Sequence, residues 1–344
     1  MPSITRLVIA CKQKTRCILG RNQLDHRAGQ PRRLTLASWL VLVLLGPQMV
    51  AASTFTNSIY GYADPFAVFS HDRYYLLGTG TGFIKVVSAS SLHGLNSGTV
   101  AEVYNAHGFF ESPELYWFGP PYNHWYIYYT QYPNAVVAIE SDTADPQGKF
   151  HYQATLATNV YDVTVVNINE KLYLLGSTYH HLVIQSMPTP YSVGGPQIPI
   201  AGLTQSWESN VIEAPDAVTN HQGGLYLLYS SGTYNQANYA EGALKFQGGD
   251  PLIATNWTKL PGPLFCGTGD NGNFATATCT PFKSPDGEDW FVYGGYATPQ
   301  FTSRSTRVQR LAWKNDGSPD LGVPLPLGQP IPEPANDSSK TSTQ

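Results

Sequence analysis

Asp64-Pro65-Phe66-Ala67-Val68, followed by Arg73-Tyr74-Tyr75-Leu76-Leu77, is the unit from which the chain is built. Its order is an acid, a short apolar stretch, a polar turn and a second strand. The same order returns at Glu111-Ser112-Pro113-Glu114-Leu115 with Trp125-Tyr126-Ile127-Tyr128-Tyr129, and at Asp162-Val163-Thr164-Val165-Val166 with Leu172-Tyr173-Leu174-Leu175. It returns again at Glu213-Ala214-Pro215-Asp216-Ala217 with Leu225-Tyr226-Leu227-Leu228-Tyr229, so the four acids are spaced by 47, 51 and 51 residues. A fifth copy of the second strand, Asp289-Trp290-Phe291-Val292-Tyr293, has no acid before it. A period of about 50 residues made of short strands predicts an all-β fold, a five-bladed β-propeller with one blade per repeat. Equivalent strands of successive blades line one channel, so the acids are predicted to converge at one end of it.

Composition narrows the class. The chain has 344 residues, enough for one large all-β domain or two ordinary ones. Aromatic residues make up 12 % with Tyr foremost, charged residues only 13 %, and Gly and Pro are plentiful. That balance suits a folded secreted β-protein and excludes a disordered chain. Eight of the 20 Lys and Arg lie up to and including Arg33, with one acid, Asp25. The remainder carries 12 basic and 23 acidic side chains, a charge that repels phosphate backbones and argues against a nucleic acid partner.

The first 52 residues read as a targeting segment. A basic stretch ending Pro31-Arg32-Arg33 precedes the apolar run Leu34 to Leu45, then Gly46-Pro47 and the small-residue site Val50-Ala51-Ala52. The reading is a signal peptide cleaved after Ala52, with a retained signal anchor as the rival; the apolar run is short for a bilayer span. Secretion to the extracellular space and no membrane partner follow from the first. Residues 53–334 then form one domain, and residues 335–344 a small, polar, mobile tail. Cys266 and Cys279 remain after the leader, and a pair of cysteines in a secreted chain reads as a disulfide, two unpaired buried thiols being the alternative. Asn256-Trp257-Thr258 and Asn336-Asp337-Ser338 are N-glycosylation acceptors. No Cys/His metal pattern is present, and no metal or cofactor is expected. Connectors such as Gly194-Gly195-Pro196 punctuate strands of about five residues, and no linker separates a second domain. The stretch from Phe55 to Tyr60 is placed to complete the last blade beside Arg307 to Trp313, which leaves no open edge.

Two or three carboxyl groups around one pocket are the equipment for splitting a glycosidic bond, one as general acid and one as general base or nucleophile. Taken singly, each acid has a plainer reading: an Asp before Pro forms turns, and a strand-end carboxylate bonds to backbone amides. Their shared place in a repeat favours the catalytic reading.

Tyr62-Ala63-Asp64-Pro65, Ser112-Pro113-Glu114-Leu115, Tyr161-Asp162-Val163-Thr164 and Ile212-Glu213-Ala214-Pro215 together resemble the blade openings of glycoside hydrolase family 43. Lys283 to Trp290 and Arg307 to Arg310, running on to Pro330-Ile331-Pro332-Glu333-Pro334, resemble its exo-acting α-L-arabinofuranosidase branch. The resemblance covers about Asn57 to Pro334. It implies an inverting mechanism in which Asp64 is the general base, Glu213 the general acid and Asp162 a third carboxylate that holds the acid and raises its pKa. In blade two the family usually has an aromatic residue where this chain has Glu111, which then either competes for the acid role or bonds to a loop. In blade five Thr278 stands where many members place a His beside a bound ion, which puts a central metal in doubt. Phe83, Phe110 and Tyr234 are candidate sugar platforms, with core packing as the alternative. The substrate implied is an α-L-arabinofuranosyl side chain of a plant cell-wall polysaccharide, arabinan or arabinoxylan. A β-xylosidase or endo-arabinanase of the same fold, and a sugar-binding propeller that has lost catalysis, remain open.

Overall fold

The computed structural model describes residues 53–335. The expected leader, the tail after Ala335 and the Asn336 acceptor lie outside them. Phe66–Ser70, Arg73–Leu77 and Gly80–Ala89 form the first three strands of blade one. The fourth is the opening half of the 20-residue strand Thr99–Phe118, whose closing half, from Phe110 onward, pairs instead with His124–Gln131 as the first strand of blade two. Ala135–Ser141 and Phe150–Thr158 complete that blade. Blade three runs through Tyr161–Ile168, Lys171–Ser177, His181–Thr189 and Ser192–Gly202. Blade four takes Ile212–Thr219, Leu225–Ser231, Ala240–Phe246 and Trp257–Lys259, and blade five Phe274–Lys283, Asp289–Tyr296 and Arg304–Arg310. All these pairings are antiparallel.

The second strands are apolar throughout because both faces are covered. In His124–Gln131, Trp125, Ile127 and Tyr129 pack toward blade one, while Tyr126 and Tyr128 pack toward blade three. Tyr75 and Leu77 likewise face blade two, and Tyr74 and Leu76 face blade five. Alternate residues of a strand point to opposite faces, so each sheet feeds two cores at once. Among the described residues a large cluster lies at each of the five junctions between neighbouring blades, and a smaller one of Tyr239, Ala275, Ala277 and Tyr296 lies beside that of blades four and five. The cluster of Tyr74, Leu76, Trp290, Val292 and Val308 joins the fifth blade to the first, so the ring of five blades is closed by packing.

The first described residues supply the missing outer edge of blade five. Ile59 N–H donates to Thr306 O (2.9 Å) and Thr306 N–H to Tyr60 O (3.0 Å). The Asn57 side chain bonds both polar groups of the Val308 backbone, accepting at 2.9 Å and donating at 3.0 Å. Thr54–Phe55 pairs with Ile331–Pro332. The placement expected for Phe55 to Tyr60 is therefore found.

The cysteine expectation is corrected. Cys279 and Cys266 are separate free thiols. Cys279 is buried between blades four and five, where burial first and the Glu241 charge second push its thiol up. Cys266 sits half-buried on the two-residue strand Phe265–Cys266, opposite Ala240.

Candidate active site

Each blade has a kink residue, held in the left-handed region, in or just before its first strand: Asp64 (φ 46°), Ser112 (46°), Asp162 (47°), Ala214 (48°) and Thr278 (56°), with Ala275 (48°) a second in blade five. None is glycine, and non-glycine residues adopt this conformation at a cost that surrounding structure must overcome. Here the restraint is a repeated strut. The hydroxyl at the end of one blade's second strand receives the N–H of the kink residue in the next: Thr79 from Ser112 (3.0 Å), Thr130 from Asp162 (3.0 Å) and Ser230 from Thr278 (2.8 Å). At the junction of blades three and four Ser177 instead donates its hydroxyl to Ile212 O. In the first strands of blades two, four and five the pairing register shifts at this point, the mark of a β-bulge, which re-aims side chains next to functional sites.

The kinks bring Asp64, Glu111, Asp162 and Glu213 to the wall of one cavity of about 620 Å³. Below the kinks the channel narrows to a void of about 10 Å³ lined by Phe66, Glu114, Asp216 and Thr280. The upper cavity is of a size that takes a sugar, whereas the lower one has room for about one water.

Each of three acids is held differently. Asp64 receives a forked pair of bonds from Arg304 (2.6 and 3.1 Å), one from the Thr79 hydroxyl (2.6 Å) and one from the Thr278 hydroxyl (3.4 Å). Two parallel bonds from a guanidinium fix a carboxylate in orientation as well as position. Asp162 accepts from the Ser112 hydroxyl at 2.7 Å. Burial raises its carboxyl well above the usual range, and the charges of Glu213 and Asp64 add to the rise. Glu213 accepts from the Tyr239 hydroxyl (2.9 Å) and the Tyr161 hydroxyl (3.2 Å). Burial pushes it up to about 7; Asp64's charge contributes, and the two tyrosines and Arg304 oppose. A carboxyl of this kind carries its proton into the near-neutral range, which is what a general acid requires. The contacts that hold Glu213 thus come from two tyrosines, the charge that raises it is that of Asp64, and its own charge in turn raises Asp162.

Glu111 lines the cavity half-buried, its carboxyl raised by burial and by Asp64 and lowered by Arg304. Thr278 fills the place where the resemblance puts a His, and its hydroxyl is shared between Tyr239 (3.1 Å) and Asp64 (3.4 Å). An engaged hydroxyl in place of an imidazole does not fit an ion held by a His, and no step is routed through a metal.

The aromatic expectations divide. Tyr234 lines the cavity, 50 % exposed, with the Arg304 guanidinium 5.2 Å from its ring centre. Phe110 is corrected: it is 2 % exposed, packed edge-on against Tyr129 (6.0 Å) under Gly80. Its neighbour Phe109, 41 % exposed, lines the cavity instead, since adjacent residues of a strand face opposite ways. Phe83 is equally exposed on the same hairpin but is not among the lining residues.

Sequence reasoning placed the loop beginning at Thr79 on the pocket but missed Arg304, Tyr161, Tyr239 and Tyr179, which line the same cavity. The hydroxyls had a readable signal, since Thr79, Thr130, Ser177 and Ser230 each follow the second strand of a repeat. Arg304 had none, being 240 residues from Asp64 in chain order.

The fold is shared with known proteins. The chain is 28 % identical over 316 residues to an extracellular exo-alpha-(1->5)-L-arabinofuranosidase of Streptomyces avermitilis, covering 80 % of this chain and 64 % of that one. It is 28 % identical over 317 residues to alpha-L-arabinofuranosidase 43 of Humicola insolens, covering 80 % and 65 %. The chain thus spans slightly less than two thirds of these relatives' length. Among solved structures, an alpha-L-arabinofuranosidase from Lactobacillus brevis superposes with a TM-score of 0.73 at 22 % identity, covering 80 % of this chain and 98 % of that one. A thermostable family-43 glycoside hydrolase superposes at 0.67 and 21 %, covering 81 % and 99 %. The family described as "Glycosyl hydrolases family 43" matches residues 55–319, most of the chain and all five blades, and the protein belongs to that family.

Proposed function

We propose that the protein is a secreted inverting glycoside hydrolase that removes α-L-arabinofuranosyl residues from arabinan or arabinoxylan. One observation carries the reading: Asp64, Asp162 and Glu213, from blades one, three and four, line a single sugar-sized cavity, in which burial pushes Glu213 up to about 7. The names of the relatives support arabinofuranose as the sugar. Leader cleavage after Ala52 accounts for export.

Asp64, oriented by Arg304 and Thr79, takes a proton from water as the water oxygen bonds to the anomeric carbon. Glu213 gives its proton to the departing glycosidic oxygen as the old bond breaks. Attack opposite the leaving group inverts the anomeric centre. Asp162 and Glu213 are buried together, so the charge of one disfavours ionisation of the other and the pair keeps a proton, which the mechanism places on Glu213. Tyr234 and Phe109 offer faces for the sugar ring, and Phe83 is placed to meet a longer chain.

The test pairs variants with leaving groups. Asp64→Asn abolishes turnover of every substrate. Glu213→Gln loses about 10²–10⁴ in rate on arabinan oligomers, where the leaving oxygen needs a proton, and much less on aryl arabinofuranosides with acidic leaving groups. Proton NMR of the first-formed arabinose shows the inverted anomer. Retention of configuration, or equal losses across leaving groups, refutes this assignment, and faster turnover of aryl xylosides transfers the substrate to xylose.

A further inference from the structure

Glu111 is the one cavity acid without a task in the reaction, and its surroundings define one. Asp64, Asp162 and Glu213 each accept hydrogen bonds from protein donors, whereas the Glu111 carboxyl has no hydrogen-bond or ion partner among the described residues. It is half-buried in the wall beside Asp64, and Asn134, Phe109 and Arg304 line the same cavity. A buried carboxylate left without donors costs free energy, and a sugar hydroxyl is a donor. The cavity has four carboxyl groups facing one guanidinium, already claimed by Asp64, so an uncharged hydroxyl fits there and an anionic group does not.

We propose that Glu111 recognises the sugar by accepting a hydrogen bond from one of its hydroxyls, and so determines which sugar binds. This rests on the hydrolase reading above. Glu111 occupies the same place in its blade as Glu213 does in its own, one residue before the left-handed kink, which aims both into the cavity. It receives no hydroxyl from the protein because the substrate supplies it.

The test uses the full-length protein with Glu111→Gln, which keeps the shape, and Glu111→Ala, which removes the acceptor. Substrates are nitrophenyl α-L-arabinofuranoside and three analogues, each lacking one sugar hydroxyl. A hydrogen bond to an ionised group is worth enough that its loss raises KM about 10- to 100-fold, with kcat changed little. The wild type discriminates against the analogue lacking the recognised hydroxyl, and in Glu111→Ala that discrimination collapses while the other two analogues behave as before. If the wild type is active but both variants keep its KM and its ranking of analogues, the assignment of Glu111 is overturned and the hydrolase reading stands. If kcat falls with leaving-group dependence in Glu111→Gln, Glu111 is the acid, and the recognition role is overturned. A wild type inactive on arabinofuranosides and xylosides alike overturns the hydrolase reading and this inference with it.

Discussion

Tyr239→Phe isolates the hydrogen bond that most directly opposes the rise of Glu213. The hydroxyl donates to Glu213 Oε1 at 2.9 Å from a fully buried ring, and its contact with Thr278 ties it to the blade-five kink. A hydrogen bond to an ionised group contributes about 1.5–3 kcal/mol and one to a neutral group about 1 kcal/mol. The bond therefore favours the carboxylate by about 1 kcal/mol or slightly more, and its removal raises the Glu213 pKa from about 7 by about one unit. The sign follows from the acid being active when protonated: a higher pKa extends activity toward alkaline pH. The assay is the pH dependence of kcat/KM on an arabinan oligomer, whose leaving oxygen needs the proton, because the alkaline limb then reports the acid in the free enzyme. Tyr161→Phe, which loses a longer bond of 3.2 Å, shifts the limb the same way by less. An alkaline limb that stays in place or moves toward acid in a folded Tyr239→Phe protein shows that this limb does not belong to Glu213, and the reasoning fails.

Phe110→Ala removes a ring from the core between blades one and two and destabilises the fold by about 3–5 kcal/mol, while Phe109→Ala leaves stability within about 0.5 kcal/mol and raises KM; urea melts and kinetics on both variants check the assignment. Glu213 and Asp216 are each pushed up to about 7 by burial, so the stability they contribute is fully present below the usual carboxylate range and is lost as pH rises through about 7. Thermal melts are expected to show Tm falling between pH 5 and pH 8, with a shallower fall in Asp216→Asn. Protein expressed from Ser53 titrates two thiols when denatured without reductant and one, Cys266, when native; finding none in the denatured protein restores the bridge.

The repeat was legible because a propeller strand is buried on both faces, which leaves runs such as Trp125 to Tyr129 almost wholly apolar and easy to align by eye. The phase of the repeat was not. Aligning the four acids makes them equivalent, yet Asp64 and Asp162 occupy the left-handed position itself, whereas Glu111 and Glu213 precede it. A difference of one residue is invisible in spacings of 47 and 51, but it decides which way a side chain leaves the strand. This difference sorts the acids: those at the kink are held by short bonds, Asp64 by Thr79 of its own blade and Arg304 of blade five, and Asp162 by Ser112 of blade two. Those before it are held less tightly: Glu213 is met by tyrosine hydroxyls, Tyr161 of blade three and Tyr239, and Glu111 by no hydrogen bond among the described residues. On the proposed mechanism, the base that must be held in orientation occupies the first position, and the groups that release a proton or accept a substrate hydroxyl occupy the second. Blade five follows the same logic with the sign reversed. Its kink residue, Thr278, is uncharged, and its third strand contributes Arg304, the cation that counters the acids around it.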